Sequence, residues 1–136
     1  MNILFFLTPK SEVAYVREDD TLRQALEKME HHGYAAVPLL SEDGRYIGTI
    51  TDGDVLWGLK HLHFPSLQQM EEIPVMELKR AHDNKPVHVS ENMEGLLEKV
   101  TVQNFVPVVD DEKVFIGIVT RRDVIHYLAK EHKRKE

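Results

Sequence analysis

The sequence predicts an α+β fold built as a tandem repeat, on three observations. The stretch Gly48-Thr49-Ile50-Thr51-Asp52-Gly53-Asp54 returns as Gly117-Ile118-Val119-Thr120-Arg121-Arg122-Asp123, with hydroxyl and carboxylate three residues apart each time. Pro38 and Pro107 each sit inside an apolar run, and they stand 69 positions apart, as Thr51 and Thr120 do. Leu22, Ala25, Leu26 and Met29 take positions i, i+3, i+4 and i+7, and Met93, Leu96, Leu97 and Val100 repeat the spacing, which marks a helix with one buried face. Self-similarity at a fixed period means a duplicated supersecondary unit, here β-α-β-β-α. Residues 1–62 form repeat 1, 63–85 a linker with the opening turn of repeat 2, and 86–136 repeat 2. One unit of this size leaves much of its apolar surface uncovered. Two copies related by pseudo-twofold symmetry are therefore expected to pack their sheets together, with the helices outside.

The elements follow in order. Ile3 to Leu7 is an apolar opening turn, and Val13-Ala14-Tyr15-Val16 reads as a short strand. Thr21, with Gln24 three residues on, is a capping box for the first helix, and Gly33 is placed to end it. Tyr34 to Leu40 reads as a strand whose Pro38 implies a strand end or irregular edge. Glu42-Asp43-Gly44 is turn chemistry before the strand Tyr46 to Ile50. A helix from Asp54 to Lys60 is expected to face Val55, Leu56 and Leu59 inward. The second copy supplies the strand Val87-His88-Val89, the cap Asn92, the strand Phe105 to Val109 and the turn Asp110-Asp111-Glu112. The strand Val114 to Val119 then leads to a helix through Val124, Ile125 and Leu128. Val75 to Leu78 is the counterpart of the opening turn. Trp57 is expected between the repeats or at a dimer surface, and Met70, Met76 and Met93 as core or interface filler.

Composition narrows the function. A formal charge of −6 argues against general affinity for nucleic acid or an anionic membrane; only Lys130 to Glu136 is locally basic, as a solvated helix end or tail. The chain has no cysteine, which excludes disulfides and thiolate metal sites. The eight histidines include the adjacent His31-His32 and the pair His61/His63, without partners at ligand spacing, so no metal is expected. Ser11, Ser41, Ser66 and Ser90 lack a nucleophile elbow, and the glycines form neither a P-loop nor a dinucleotide fingerprint. The opening apolar run is far too short to span a bilayer and lacks the flanks of a secretion signal, so cytoplasm is the expected compartment.

The two repeated turns carry the chemistry. A helix N-terminus offers unpaired N–H groups and a positive dipole end, which attract phosphate. Thr51 and Thr120 add a hydroxyl. Asp54 and Asp123 would repel phosphate, but a carboxylate accepts both donors of a ribose diol. The same Thr-x-x-Asp spacing is also a plain cap that stabilises a helix by about 1 kcal/mol.

Gly-hydrophobic-x-Thr-x-x-Asp, duplicated beside Gly33-Tyr34-Ala35-Ala36-Val37-Pro38 and Phe105-Val106-Pro107-Val108, resembles the CBS domain, and the whole chain resembles one stand-alone CBS pair, or Bateman module. The resemblance implies two clefts for adenosyl ligands such as AMP, ADP, ATP or S-adenosylmethionine. One cleft would combine Val13, Ala14, Tyr15, Tyr34, Ala35 and Ala36 with Thr120, Arg121, Arg122 and Asp123. The other, weaker, would combine Pro86, Val87, His88, Asn104, Phe105 and Val106 with Thr51 and Asp54. Arg121 and Arg122 would give a phosphate charge-assisted hydrogen bonds, whereas Asp52 beside Asp54 would repel it, so the cleft completed by Thr120 to Asp123 is expected to be the main site. Lys10 and Lys85 are weaker phosphate candidates. The expected function is non-enzymatic: an adenine nucleotide as regulatory ligand, a homodimer formed through helices, and an unidentified protein partner. Alternatives are a cyclic di-AMP receptor, since small stand-alone pairs with a Thr-Arg-Arg turn resemble this chain, and an interaction module with empty clefts.

Overall fold

In the computed structural model, which describes residues 1–135, the apolar periodicities become two sheets and five α-helices. The strands are β1 (Thr8–Pro9), β2 (Val16–Arg17), β3 (Ala36–Leu40), β4 (Tyr46–Thr51), β5 (Val87–His88), β6 (Phe105–Val109) and β7 (Phe115–Thr120). The helices are α1 (Leu22–His32), α2 (Asp52–His61), α3 (Leu67–Met70), α4 (Met93–Val100) and α5 (Arg121–Arg134). One sheet has the order β2-β3-β4 and the other β1-β7-β6-β5. Glu136, the end of the basic tail, lies outside the described residues.

The chain forms two compact units, Ala14–Asp83 and Met1–Val13 together with Asn84 onward. In the first, Val16, Leu22, Ala25, Met29, Val37, Leu39, Ile50 and Val55 build the core, joined by Met70, Val75 and Leu78. The second is built on Leu96, Val100, Val106, Val108, Val119 and Val124, joined by Ile3 and Phe6. Ile3–Phe6 and Val75–Glu77 are both short 3₁₀ turns, so the expected correspondence between them holds. The opening turn thus fills the core of the unit that carries the later half of the chain. The turn at Val75 fills the other core.

Local chemistry accounts for the boundaries. Thr21 caps α1 in a full capping box with Gln24, and Gly33 closes the helix in the left-handed conformation at φ 66°. Asn92 caps α4 through Gly95 N–H. The turns before β4 and β7 use the equivalent positions Gly44 and Lys113, at φ 87° and 67°; at the second, Asp110 accepts from Glu112 and Val114 N–H and so secures a lysine where glycine would be easier.

Several expectations are corrected. Val13 to Tyr15 is not strand; β2 begins at Val16, because the register brings Pro38, which has no N–H, to the position that would extend the ladder. Tyr34 and Ala35 precede β3. Leu56, Ile125 and Leu128 are exposed rather than inward. Trp57 needs no correction: it is 57% exposed, as a dimer-surface residue is in a single chain, with Lys60 Nζ 5.8 Å from its ring centre. Of the methionines expected as core or interface filler, Met70 is core and Met76 is exposed.

Candidate functional site

The two Thr-x-x-Asp turns share one backbone design. β4 runs into α2 and β7 into α5, and in each the first helical N–H is taken by a carbonyl at the base of the neighbouring strand. Asp52 N–H donates to Ala35 O at 2.8 Å, and Arg121 N–H donates to Asn104 O at 2.9 Å. Thr51 Oγ1 accepts from Asp54 N–H at 3.0 Å, and Thr120 Oγ1 from Asp123 N–H at 3.1 Å. Both threonines are therefore N-caps.

The turns part at the remaining groups. At the start of α2, the Asp52 carboxylate accepts from Gly53 N–H at 2.8 Å. Asp54 is only 5% exposed. Its Oδ2 accepts from Thr51 N–H at 3.0 Å, closing a capping box, and its Oδ1 accepts from Ala81 N–H at 3.0 Å. The first three helical N–H groups and both carboxylate oxygens are thus already used within the unit. The sequence expectation of a ribose contact at Asp54 meets a carboxylate committed to holding α2 and the Ala81 segment.

At the start of α5 the equivalent groups are open. Among the described residues Arg122 N–H has no partner, and neither does the exposed Asp123 carboxylate. The two arginines also differ. Arg121 is partly buried and its Nε donates to Val100 O at 2.8 Å, tying α5 to the last turn of α4. Arg122 is exposed with its guanidinium unpaired among the described residues. Arg121 thus holds the helix in place through its Nε, whereas Arg122 keeps its whole guanidinium without a partner among the described residues. Beside Asp123, along the face formed with His126, Tyr127 and Lys130, lies an open groove of about 310 Å³ whose other wall is Phe5, Phe6, Leu7 and Thr8. Phe5, Phe6 and Tyr127 meet edge to face, with ring centres 5.1–5.6 Å apart. The groove was not legible in the sequence, where the run Ile3 to Leu7 read as an apolar opening turn.

The other expected site residues fall into two groups. In the Ala14–Asp83 unit, Ala14, Tyr15 and Ala36 are half-buried and Ala35 is exposed, while Tyr34 is 47% exposed and stacks on His32 at 5.5 Å. Val13, half-buried, ends the opening segment of the other unit. In that unit Val87, Phe105 and Val106 are buried, Val87 and Val106 in the core, so these residues have backbone rather than side chain to offer. Pro86 and Asn104 are exposed. His88 is engaged on both nitrogens, with Ser90 Oγ at 2.7 Å and Asp111 Oδ1 at 2.5 Å.

Beside the first turn, Asp83 Oδ1 accepts from Thr49 N–H on the outer edge of β4 and is paired with Arg80. Burial pushes the Asp83 carboxyl up, but the Arg80 hydrogen bond, the Thr49 N–H and the Arg80 charge outweigh it and hold it below the usual value of 3.8. Tyr46, bonded to Thr49 Oγ1 at 2.7 Å, is pushed up by burial to about 12. The Asp83 contacts fasten the Arg80–Asp83 segment to the edge of β4.

Comparison with known proteins agrees with this architecture. The CBS domain model matches residues 6–61 and 78–130. The cyclic di-AMP receptor B of Bacillus subtilis is 35% identical over 130 residues, covering 92% of this chain and 84% of that protein. The CbpB protein of Listeria monocytogenes, solved in complex with c-di-AMP, superposes with a TM-score of 0.83 at 24% identity, over 96% of this chain and 97% of that one. CBSX2 in complex with AMP superposes with a TM-score of 0.75 at 22% identity, over 96% and 98%. At these identities the two structures speak to the fold alone. The two duplicated turns, the two sheets and the match of both repeats make this chain a member of the CBS domain family, carrying two copies of the domain.

Proposed function

We propose that this protein is a non-enzymatic regulatory module that binds an adenine nucleotide, with Thr120, Arg122 and Asp123 at its ribose and phosphate. The observation that carries the reading is the open chemistry at the start of α5: among the described residues, an unpaired N–H at Arg122, its guanidinium, and an unpaired carboxylate at Asp123. A phosphate is drawn to the first two, and a sugar hydroxyl donates to the third. On this reading the ligand is held rather than transformed.

The similarity to a cyclic di-AMP receptor favours cyclic di-AMP within the adenine class, and the Asp123 carboxylate then accepts from a free 2′-hydroxyl. A mononucleotide such as AMP offers it both hydroxyls. A mononucleotide of about 23 heavy atoms, at roughly 0.3 kcal/mol per atom, would bind with about 7 kcal/mol, a dissociation constant on the order of 10 μM that suits sensing of a cytoplasmic pool. The exposed Leu56 and Trp57 on α2, and Ile125 and Leu128 on α5, suit a homodimer formed through helices, which light scattering would report. The regulated partner is then a protein that reads the bound state.

A thermal-shift panel of AMP, ADP, ATP, S-adenosylmethionine and cyclic di-AMP tests the reading. Ligand at a hundredfold its dissociation constant stabilises the fold by about 2.7 kcal/mol. A panel in which none of the five raises Tm would sink the nucleotide reading and leave an interaction module in its place.

A further inference from the structure

The two repeats treat the residue two positions before their short parallel strands, β2 and β5, in opposite ways. Val16 stands opposite Leu39 and Val87 opposite Val108, so Ala14 and Lys85, each two residues earlier, are equivalent. Both parallel ladders stop there for one reason. Glu18 N–H donates to Leu40 O at 2.8 Å and Val89 N–H to Val109 O at 2.9 Å, which fixes the groups that face across each ladder. Stepping back along that pattern, the donor required by Ala14 C=O is the amide of residue 38, and that required by Lys85 C=O is the amide of residue 107. Both are proline, which has no N–H.

The vacancy is filled in one repeat only. Gln103 is 8% exposed. Its Oε1 accepts from Lys85 N–H at 2.7 Å, and its Nε2 donates to Lys85 O at 3.0 Å and to Phe105 O at 3.3 Å. The side-chain amide is inserted where the next rung would lie. In repeat 1 the equivalent residue is Tyr34, which turns to His32 instead. Neither the N–H nor the C=O of Ala14 has a hydrogen-bond partner among the described residues. A backbone N–H and C=O left side by side must find partners when covered.

A carboxamide sets an acceptor oxygen beside N–H donors, and adenine sets its N1 acceptor beside its 6-amino donor in the same way. We infer that Gln103 is a built-in stand-in for a nucleobase that closes the base-recognition edge of repeat 2, so that the chain offers a single adenine-accepting edge, at Ala14. The inference rests on the nucleotide reading above and goes beyond it: Gln103 decides which repeat takes the base.

Calorimetric titration of the full chain with AMP, together with amide hydrogen exchange, tests it. The wild type should bind one AMP per chain. The Lys85 amide should be protected without ligand, and the Ala14 amide only with it. Gln103→Ala, and Gln103→Tyr as the bulk-preserving copy of repeat 1, should each expose the Lys85 amide and bind a second AMP. Tyr34→Gln, at an exposed position, should protect the Ala14 amide without ligand and raise the AMP dissociation constant at least tenfold. Two AMP per wild-type chain would overturn the inference and leave the nucleotide reading standing, as would folded Gln103 variants that still bind one. AMP binding to neither the wild type nor the variants would also overturn it, whereas the nucleotide reading falls only if the whole thermal-shift panel fails.

Discussion

The turn at Thr51–Asp54 and the turn at Thr120–Asp123 share backbone, cap and register, yet only the second keeps its polar groups open. In the first, Asp52 takes the Gly53 N–H, and Asp54 is held by Thr51 and Ala81 N–H groups. In the second, the corresponding N–H and carboxylate have no partner among the described residues. The difference shows that Thr-x-x-Asp is a scaffold and not in itself a site. A carboxylate in the first turn of a helix stabilises it in either case; whether it can also receive a ligand depends on what the intervening residues and the neighbouring chain have already donated to it.

The comparison makes ordered predictions. Asp54→Ala should have the largest effect on stability: losing a buried carboxylate that satisfies two N–H groups should cost about 3 kcal/mol, a fall of roughly 10 °C in Tm. Asp123→Ala should cost under about 1 kcal/mol, the scale of a helix-dipole contact. Thermal unfolding of the two variants side by side is the check, and equal losses would erase the distinction drawn between the turns.

The glycines before the turns separate the repeats in the same sense. A Cβ on Gly117, at φ +156°, would lie 2.2 Å from the backbone oxygen of Thr8, where β1 pairs with β7. A Cβ on Gly48 would meet side-chain rather than backbone atoms, the Asp83 carboxylate at 2.3 Å and Arg80 Nε at 2.8 Å. Gly117→Ala should therefore cost about 2–3 kcal/mol, typical of overpacking, and more than Gly48→Ala in chemical denaturation.

Ligand binding should move the other way. Asp123→Ala should weaken ribose-containing ligands about tenfold, or about 1.4 kcal/mol, with Tm of the free protein nearly unchanged. Arg122→Ala should penalise AMP more than adenosine. Arg121→Ala should instead cost about 1 kcal/mol of stability, through the lost bond to Val100 O. A titration in which the two arginine variants behave alike would show that the division of labour between them is wrong.

The smallest effect concerns the edge of β4. The Asp83 carboxyl titrates below its ordinary 3.8 in the folded state, so its stabilisation is present above that value and disappears as pH falls through the lower folded one. Asp83→Asn should flatten the acid limb of the stability curve below about pH 4, measured by denaturant midpoints. No such change is expected near neutrality.

Much of this was legible in the order of residues alone. The spacing of Leu22, Ala25 and Met29, the Thr21/Gln24 box, Gly33, and the recurrence of proline and Thr-x-x-Asp at one interval each act within a few residues or between identical copies. Helix periodicity, capping and turn chemistry are short-range, so the α+β repeat and the asymmetry of charge between the two turns could be read from them. Periodicity was less reliable where a helix has more apolar residues than its own unit can cover: Leu56, Ile125 and Leu128 fit an inward stripe and yet remain exposed.

Tertiary structure alone decided which polar groups were already occupied. That the Ala81 amide donates to Asp54, that Val100 receives Arg121, and that Gln103 inserts its amide between Lys85 and Phe105 are contacts between residues up to 27 positions apart. The packing of the Ile3–Phe6 turn on the core of the later unit is longer-range still. No local pattern encodes such pairings, because each depends on where two separate segments are brought by burial of their apolar neighbours. The sequence on its own determined two helix mouths of different charge; the fold determined that one is sealed by its own chain and that the other keeps its N–H and carboxylate unpartnered among the described residues.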